Sequence, residues 1–274
     1  MLRSLNTAVS GLQQFQDDID VIGNNIANVN TTGFKDARVD FEDTFSQALG
    51  VGSPSNQVGT GVTTGAIQNN FNQGTINNTG SGSDLAISGQ GFFVVQNAAD
   101  KSQYVTRAGD FHLDASGYLV TNDSLRVQGY SDAGLTTIGD LQIDATGAPA
   151  TAAAGATVKS WSIDQSGKIM VTLSDNTQFV RGQVLLQNYS NPGALIKEGA
   201  NLYAPSSSAG SLSQPTPPQT KGLGEIQSGA LEMSNVDLTA EMANLITAQR
   251  AFQANARVIT TSDEILQEVA GLKR

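Results

Sequence analysis

Residues 5–29 read LNTAVSGLQQFQDDIDVIGNNIANV, and the spacing of their apolar positions decides the architecture. Leu5, Ala8, Leu12, Phe15, Ile19, Ile22, Ile26 and Val29 alternate three and four residues apart. That is an unbroken heptad seam, about 37 Å long as a helix. The other faces carry Asn, Gln, Ser, Thr and Asp. The seam runs out in Asn28-Val-Asn-Thr-Thr-Gly33, where small polar residues and glycine stop a helix and turn the chain.

The far end of the chain mirrors this pattern. Leu238, Leu245, Phe252, Ile259 and Leu266 recur every seven residues. Met242, Ala256 and Ala270 fill much of a companion row, which Gln249 and Asp263 interrupt. Ser234 or Asn235 is expected to cap this helix. Lys273 and Arg274 suit the negative end of its macrodipole. Each helix has one apolar seam to bury, so the two ends are predicted to pair.

Between the helices the character changes. Residues 50–83 are rich in Gly, Asn, Thr and Ser and read as extended chain. From Leu85 onward short β patterns dominate: 85–96, 104–107, 111–113, 118–121, 125–130, 158–164, 168–173 and 179–189. A turn signature recurs at Asp114-Ala-Ser-Gly117, Asp144-Ala-Thr-Gly147 and Asp164-Gln-Ser-Gly167. An aspartate there can accept a bond from the backbone two residues on, and the glycine can take a positive φ. Residues 148–156 and 206–220 read as loops. Pro215, Pro217 and Pro218 stiffen the second one.

The expected fold class is therefore α+β. An antiparallel all-β central domain is flanked by long N- and C-terminal helices that pair as a coiled-coil-like layer. The expected divisions are 1–34 with 236–274 as the helical layer, 35–84 as an extended arm, 85–205 as the β domain and 206–235 as a return connector. Heptads specify a seam and not an oligomer number. A stalk within a monomer or dimer and a tube of many subunits both fit. The alanines at 240, 243, 248, 251 and 254 would allow close packing against further copies.

Composition narrows the function. The 274 residues carry 15 Lys and Arg against 25 Asp and Glu, a net charge of -10. Such a polyanion is not expected to bind nucleic acid or anionic membranes. No apolar run is long enough to span a membrane or to resemble a secretory signal. There is no Cys and a single His, His112, which excludes thiol chemistry and multi-histidine metal sites. Asp110-Phe-His-Leu-Asp114 is the one constellation that suggests a site. As a strand it places Asp110, His112 and Asp114 on a solvated face and Phe111 and Leu113 in the core. Gly59-Thr-Gly61 and Gly80-Ser-Gly82 lack the spacing and the following Lys of a phosphate loop. Trp161 is read as a core or domain-face aromatic. No nucleophile is paired with a base, so neither an enzyme nor a cofactor is expected.

Three long stretches, in order, resemble the axial proteins of the bacterial flagellum, the rod and hook family. They are Gly23-Asn-Asn-Ile-Ala-Asn-Val-Asn-Thr-Thr-Gly-Phe-Lys35, then Gly91-Phe-Phe-Val-Val95 with Tyr104-Val-Thr-Arg-Ala-Gly-Asp-Phe111, and finally Ser234-Asn-Val-Asp-Leu238 with Ala248-Gln-Arg-Ala-Phe-Gln-Ala-Asn255. The resemblance covers nearly the whole chain. Within the family the ending Val258-Ile-Thr-Thr261 and Leu272-Lys-Arg274 is similar to hook proteins. Distal-rod endings more often carry Glu–Ile or Glu–Met where this chain has Gln253-Ala254. The length departs from many hook proteins, which carry a further outer domain, and matches distal-rod proteins.

The resemblance implies a subunit that assembles with itself into the tubular hook and transmits motor torque to the filament. The distal rod is the alternative. An adhesin or binding module on a coiled-coil stalk is the alternative of another class. The implied location is the extracellular hook, or the basal-body rod within the envelope. Implied partners are further copies, the rod, hook-cap and hook–filament junction proteins, and the flagellar type III export apparatus. Leu5, Leu12, Phe15, Ile19, Ile22, Ile26, Leu238, Met242, Leu245, Phe252, Ile259 and Leu266 would form the inner-tube seam. Arg250 would pair with an acidic residue of a neighbouring copy, in the Asp17, Asp18 and Asp20 cluster. The 50–83 segment would let the layers shift as a hook bends.

Overall fold

The computed structural model describes residues 2–48, 57–149, 152, 156–211 and 214–271. The expectations for 50–56, for parts of the two loops and for Leu272-Lys-Arg274 lie outside them. The fold is α+β: two helices, and strands that pair antiparallel. It divides into two compact units, one of residues 1–29, 35–70 and 236–274, the other of 30–34 and 71–235.

The first unit holds both helices. Helix α1 spans Leu2–Ala27 and α2 spans Leu238–Gly271. Ala8 and Ile22 of the α1 seam are buried, and Leu5, Leu12, Phe15, Ile19 and Ile26 are half-buried. The helices run antiparallel. Asn25 Nδ2 donates to Glu241 Oε2 at 3.3 Å, and two heptads away on both helices Gly11 lies against Asn255. A Cβ on Gly11 would come within 2.8 Å of the Asn255 amide nitrogen, so the small residue sets the approach.

The cap of α2 is Asp237, not Ser234 or Asn235. Its Oδ1 accepts the backbone N–H of Thr239 at 2.8 Å and of Ala240 at 3.3 Å. A carboxylate there satisfies free donors and suits the positive end of the helix dipole.

Strands Ala37–Asp43 and Val62–Asn69 pair antiparallel in the same unit, within the stretch read from sequence as extended chain. Side chains of α1 hold them. Ala37 exchanges two bonds with the Asn25 side chain, at 2.8 and 3.1 Å, so Asn25 stands in for a strand neighbour. Thr64 Oγ1 donates to Gln14 Oε1, and Phe15 meets Phe41 edge-on at 5.8 Å.

The second unit is built on an antiparallel sheet. Its order is 158–163, 168–173, 178–184, 126–130, 92–96, 103–106, 202–204 and 196–199. Phe92–Gln96 is central and covered on both faces, which explains its continuous apolar run. Phe93 and Val95 enter the larger core with Leu119, Val127, Ile169, Val171 and Leu186. Phe92 and Val94 enter a smaller one with Val105, Tyr189 and Tyr203. Half-buried Trp161 packs on the larger core. The ends of the unit meet: Glu225–Ser228 pairs with Leu85–Ser88, and Ala230–Glu232 with Ile76–Asn78.

Two of the Asp-x-Ser-Gly turns are built alike. Asp114 Oδ1 accepts Tyr118 N at 2.9 Å, and Asp164 Oδ1 accepts Lys168 N at 2.8 Å. Gly117 and Gly167 have φ of 81° and 78°. The carbonyls of Ser116 and Ser166 accept the side-chain amides of Gln142 and Gln183, at 2.9 and 2.7 Å. The carbonyls of Gly117 and Gly167 accept Ile143 N and Val184 N. The same device thus occurs twice in one sheet.

Candidate functional site

Ten of the twelve residues singled out as a seam lie in one covered stripe on their helix. On α2 the buried and half-buried positions are Glu241, Leu245, Ala248, Ala251, Phe252, Asn255, Ala256, Ile259, Ser262 and Leu266. Beside the seam runs a row of Glu241, Ala248, Asn255 and Ser262, one residue before the row of Met242, Ala256 and Ala270 that hydrophobicity suggested; of that row Ala256 is half-buried and Met242 and Ala270 are exposed. Leu238 and Met242 lie outside the stripe, each 43% exposed.

Beyond the stripe, α2 carries apolar side chains in two places. Leu238, Met242 and Ile246 are exposed in its first half; Val258, Ile265 and Val269 are exposed in its second. At about 100° per residue the two sets point about 160° apart, on opposite flanks of the stripe.

Arg250 and Arg257, two turns apart, are exposed on the side of α2 away from the stripe, without an ion-pair partner among the described residues. Asp17 and Asp20 are exposed on α1 and Asp18 is half-buried. Burial pushes the Asp18 carboxyl above its ordinary pKa. Asp17 Oδ2 accepts the Thr64 hydroxyl at 3.4 Å. Arg250 pairs with no carboxylate among the described residues, while Asp17 and Asp20 are exposed.

Asp110, His112 and Asp114 do not converge, and no cluster of three metal-type side chains occurs among the described residues. His112 is exposed, Asp110 accepts from Asn122 at 2.5 Å and Asp114 holds its turn. Phe111 is buried as expected, edge-on to Phe93 at 5.1 Å. Leu113 is 38% exposed, because its strand is only two residues long and ends at the turn.

A feature that sequence reasoning missed lies where the quoted stretches meet in the second unit. Arg107 Nη1 contacts Glu232 Oε2 at 3.3 Å, deep in the unit. Glu232 Oε1 accepts the Gly74 N–H at 3.0 Å, and its main-chain carbonyl accepts the Gly33 N–H at 2.8 Å. Arg107 Nη2 donates to the Gly89 carbonyl at 3.0 Å, and its guanidinium lies 5.2 Å from the Phe92 ring centre. Burial draws the Arg107 pKa down and the Glu232 charge pushes it back up. Gly33 has φ +67°, and a Cβ there would run into the backbone of Ala108. Segments 33, 74, 89, 107 and 232 are tied at one point. Gly33 and Arg107 both sit in the quoted stretches, but Glu232 lies outside them.

Family models match residues 5–35 as "Flagella basal body rod protein", 86–171 as "Flagellar hook protein FlgE/F/G D1 domain" and 227–272 as "Flagellar basal body rod FlgEFG protein C-terminal". The flagellar basal-body rod protein FlgG of Bacillus subtilis is 41% identical over 283 residues, covering 100% of both chains. That of Agrobacterium fabrum is 35% identical over 283 residues, covering 98% of both. The flagellar hook protein FlgE of Borreliella burgdorferi is 28% identical over 444 residues, covering 100% of both. The matched segments are the two helical ends and the β unit between them, and the chain belongs to the rod and hook family of structural proteins of the bacterial flagellum.

Proposed function

We propose that the chain is a subunit of the distal rod, the tubular shaft that carries motor torque toward the hook. The observation that carries this reading is length at high identity. Alignment with the rod protein of Bacillus subtilis needs 283 positions for 274 residues, whereas the hook protein needs 444. The hook, put first on the chain's ending and on the likeness of Gly74-Thr-Ile-Asn-Asn-Thr-Gly80 with Asp84-Leu-Ala-Ile87 to hook proteins, is less well supported than the rod.

The helices carry the assembly in this proposal. The 1–34 and 236–274 segments form the inner layer, paired as a coiled-coil-like unit, with 85–205 outside it and 35–84 and 206–235 as the links. The half-buried seam holds each subunit's own helices together. The opposed apolar flanks of α2 meet neighbouring copies on two sides. Two different patches facing opposite ways favour head-to-tail contacts, which propagate into a helix instead of closing as a dimer. Arg250 and Arg257 meet the Asp17, Asp18 and Asp20 cluster of a neighbour, where such pairs set register and orientation. Partners are further copies, the adjoining rod and hook proteins, and the flagellar export apparatus that delivers the chain.

Immunogold labelling of purified hook–basal bodies tests the assignment. Label on the shaft below the hook is expected; label along the curved hook overturns it. Arg250→Glu should abolish assembly, and Asp17→Lys with Asp20→Lys in the same chain should restore part of it.

A further inference from the structure

A cleft of about 590 Å3 opens on the sheet of the second unit, with Lys101, Tyr118, Gln128, Asp140, Gln142 and Arg181 in its walls. Two of these side chains are held rigidly and are nearly buried: Gln128 is 3% exposed and Arg181 8%. Gln128 Nε2 donates to Asp140 Oδ1 at 2.6 Å, which leaves Oε1 without a partner among the described residues. Arg181 donates Nε to Asp144 Oδ1 at 2.5 Å and Nη1 to the Ser131 carbonyl, which leaves Nη2 free among the described residues. Neither free atom is sealed off from solvent. A fixed acceptor and a fixed donor therefore line one cleft.

Two of the three charges in the walls are compensated internally, while Lys101 is exposed and has no ion pair among the described residues. Asp140 pairs with Arg126 at 2.8 Å, and Arg181 pairs with Asp144. An anionic ligand would meet the Asp140 carboxylate, and an apolar ligand would leave the amides and the guanidinium unpaired. A polyol suits such walls, because each hydroxyl both donates and accepts. Tyr118 adds apolar area for the C–H face of a sugar ring; Arg126 lies 4.0 Å from its ring centre. Glutamine amides also match an acetamido substituent, which offers the same donor and acceptor pair.

We propose that this cleft binds an oligosaccharide, with Gln128 Oε1 accepting from a sugar hydroxyl or acetamido N–H and Arg181 Nη2 donating to a sugar oxygen. The inference does not rest on the rod assignment.

The test is calorimetric titration of the full chain with tetra-N-acetylchitotetraose and with cellotetraose. Saturable binding of one site per chain is expected for at least one sugar. Gln128→Leu should weaken it about tenfold. Since that change also frees Asp140, Gln142→Leu is the second variant, with a loss of about threefold. Ser160→Ala, on a different strand, should leave binding unchanged. Flat titrations with both sugars overturn the proposal, as does binding that neither glutamine variant weakens. If titrations stay flat while the variants alter self-association, the cleft is covered by a second copy and the proposal fails.

Discussion

Arg107 and Glu232 stand 125 residues apart in the chain and form an ion pair at 3.3 Å with side chains 4% and 0% exposed. The pair is flanked by bonds to the Gly74 N–H and the Gly89 carbonyl, so most of its polar atoms are satisfied. Arg107 Nε is buried without a partner. Removing one member strands the other's charge in an apolar setting. Glu232→Ala should therefore cost about 3–5 kcal/mol in chemical denaturation. Arg107→Met with Glu232→Leu should recover most of that loss. A double variant as unstable as the single one would show that the charges are not what the site depends on.

Core and surface apolar residues of the helices should separate cleanly. Ile22 is buried in the α1 seam, and Ile22→Ala should lower stability by about 2–5 kcal/mol. Ile246 is 59% exposed, and Ile246→Ser should stay within about 0.5 kcal/mol of the parent. In sedimentation, Ile246→Ser should nonetheless raise the concentration at which polymer forms. Unchanged polymerisation would remove this flank of α2 from the assembly surface.

The paired turns make a matched comparison. Asp114 and Asp164 accept equivalent backbone bonds. Asp114→Ala and Asp164→Ala should each cost about 1 kcal/mol, read from thermal unfolding. Losses differing severalfold would mean that the two turns only look alike.

Asp18 supplies a pH signature. Burial raises its folded-state pKa above the unfolded value of about 3.9. Its contribution is most favourable below the unfolded pKa and is lost as pH rises through the folded one. Asp18→Asn should therefore stabilise the chain at pH 7, within about 0.5 kcal/mol, and make no difference near pH 3. A variant that loses stability at pH 7 would show that the carboxylate makes a favourable contact outweighing its desolvation.

Hydrophobic period was enough to find both helices, because α1 places an apolar residue, buried or half-buried, at every seam position. It misplaced half of the α2 stripe. There a row of Glu241, Ala248, Asn255 and Ser262 is covered, Ala248 and Ser262 fully and the other two in part, and close approach at Gly11 rewards small and polar side chains that a hydrophobicity count passes over. Most strands between Leu85 and Gln187 were legible from alternation and from the aspartate turns, but those at 138–140, 196–199, 202–204, 225–228 and 230–232 were not, and the last two fall in the stretch read as a connector. Those at 37–43 and 62–69 were not, since Phe41 and Ile67 are exposed and the pairing depends on side chains of α1, above all Asn25. Asp237 was passed over as a cap for nearby Ser234 and Asn235, although all are acceptable types and only geometry selects between them. The ion pair was invisible for a simpler reason: nothing in a sequence says that positions 107 and 232 meet.

The closure of the second unit also has a kinetic side. Leu85, Ile87 and Ile226 are fully buried together, and the strands that carry them pair across about 140 residues. Contacts this distant in sequence make folding slow, because the loop must close before the core is gained. A chain delivered one end first, whichever end leads, cannot complete this core until more than two-thirds of it has arrived. Threading and folding are thereby separated in time by the order of the strands alone.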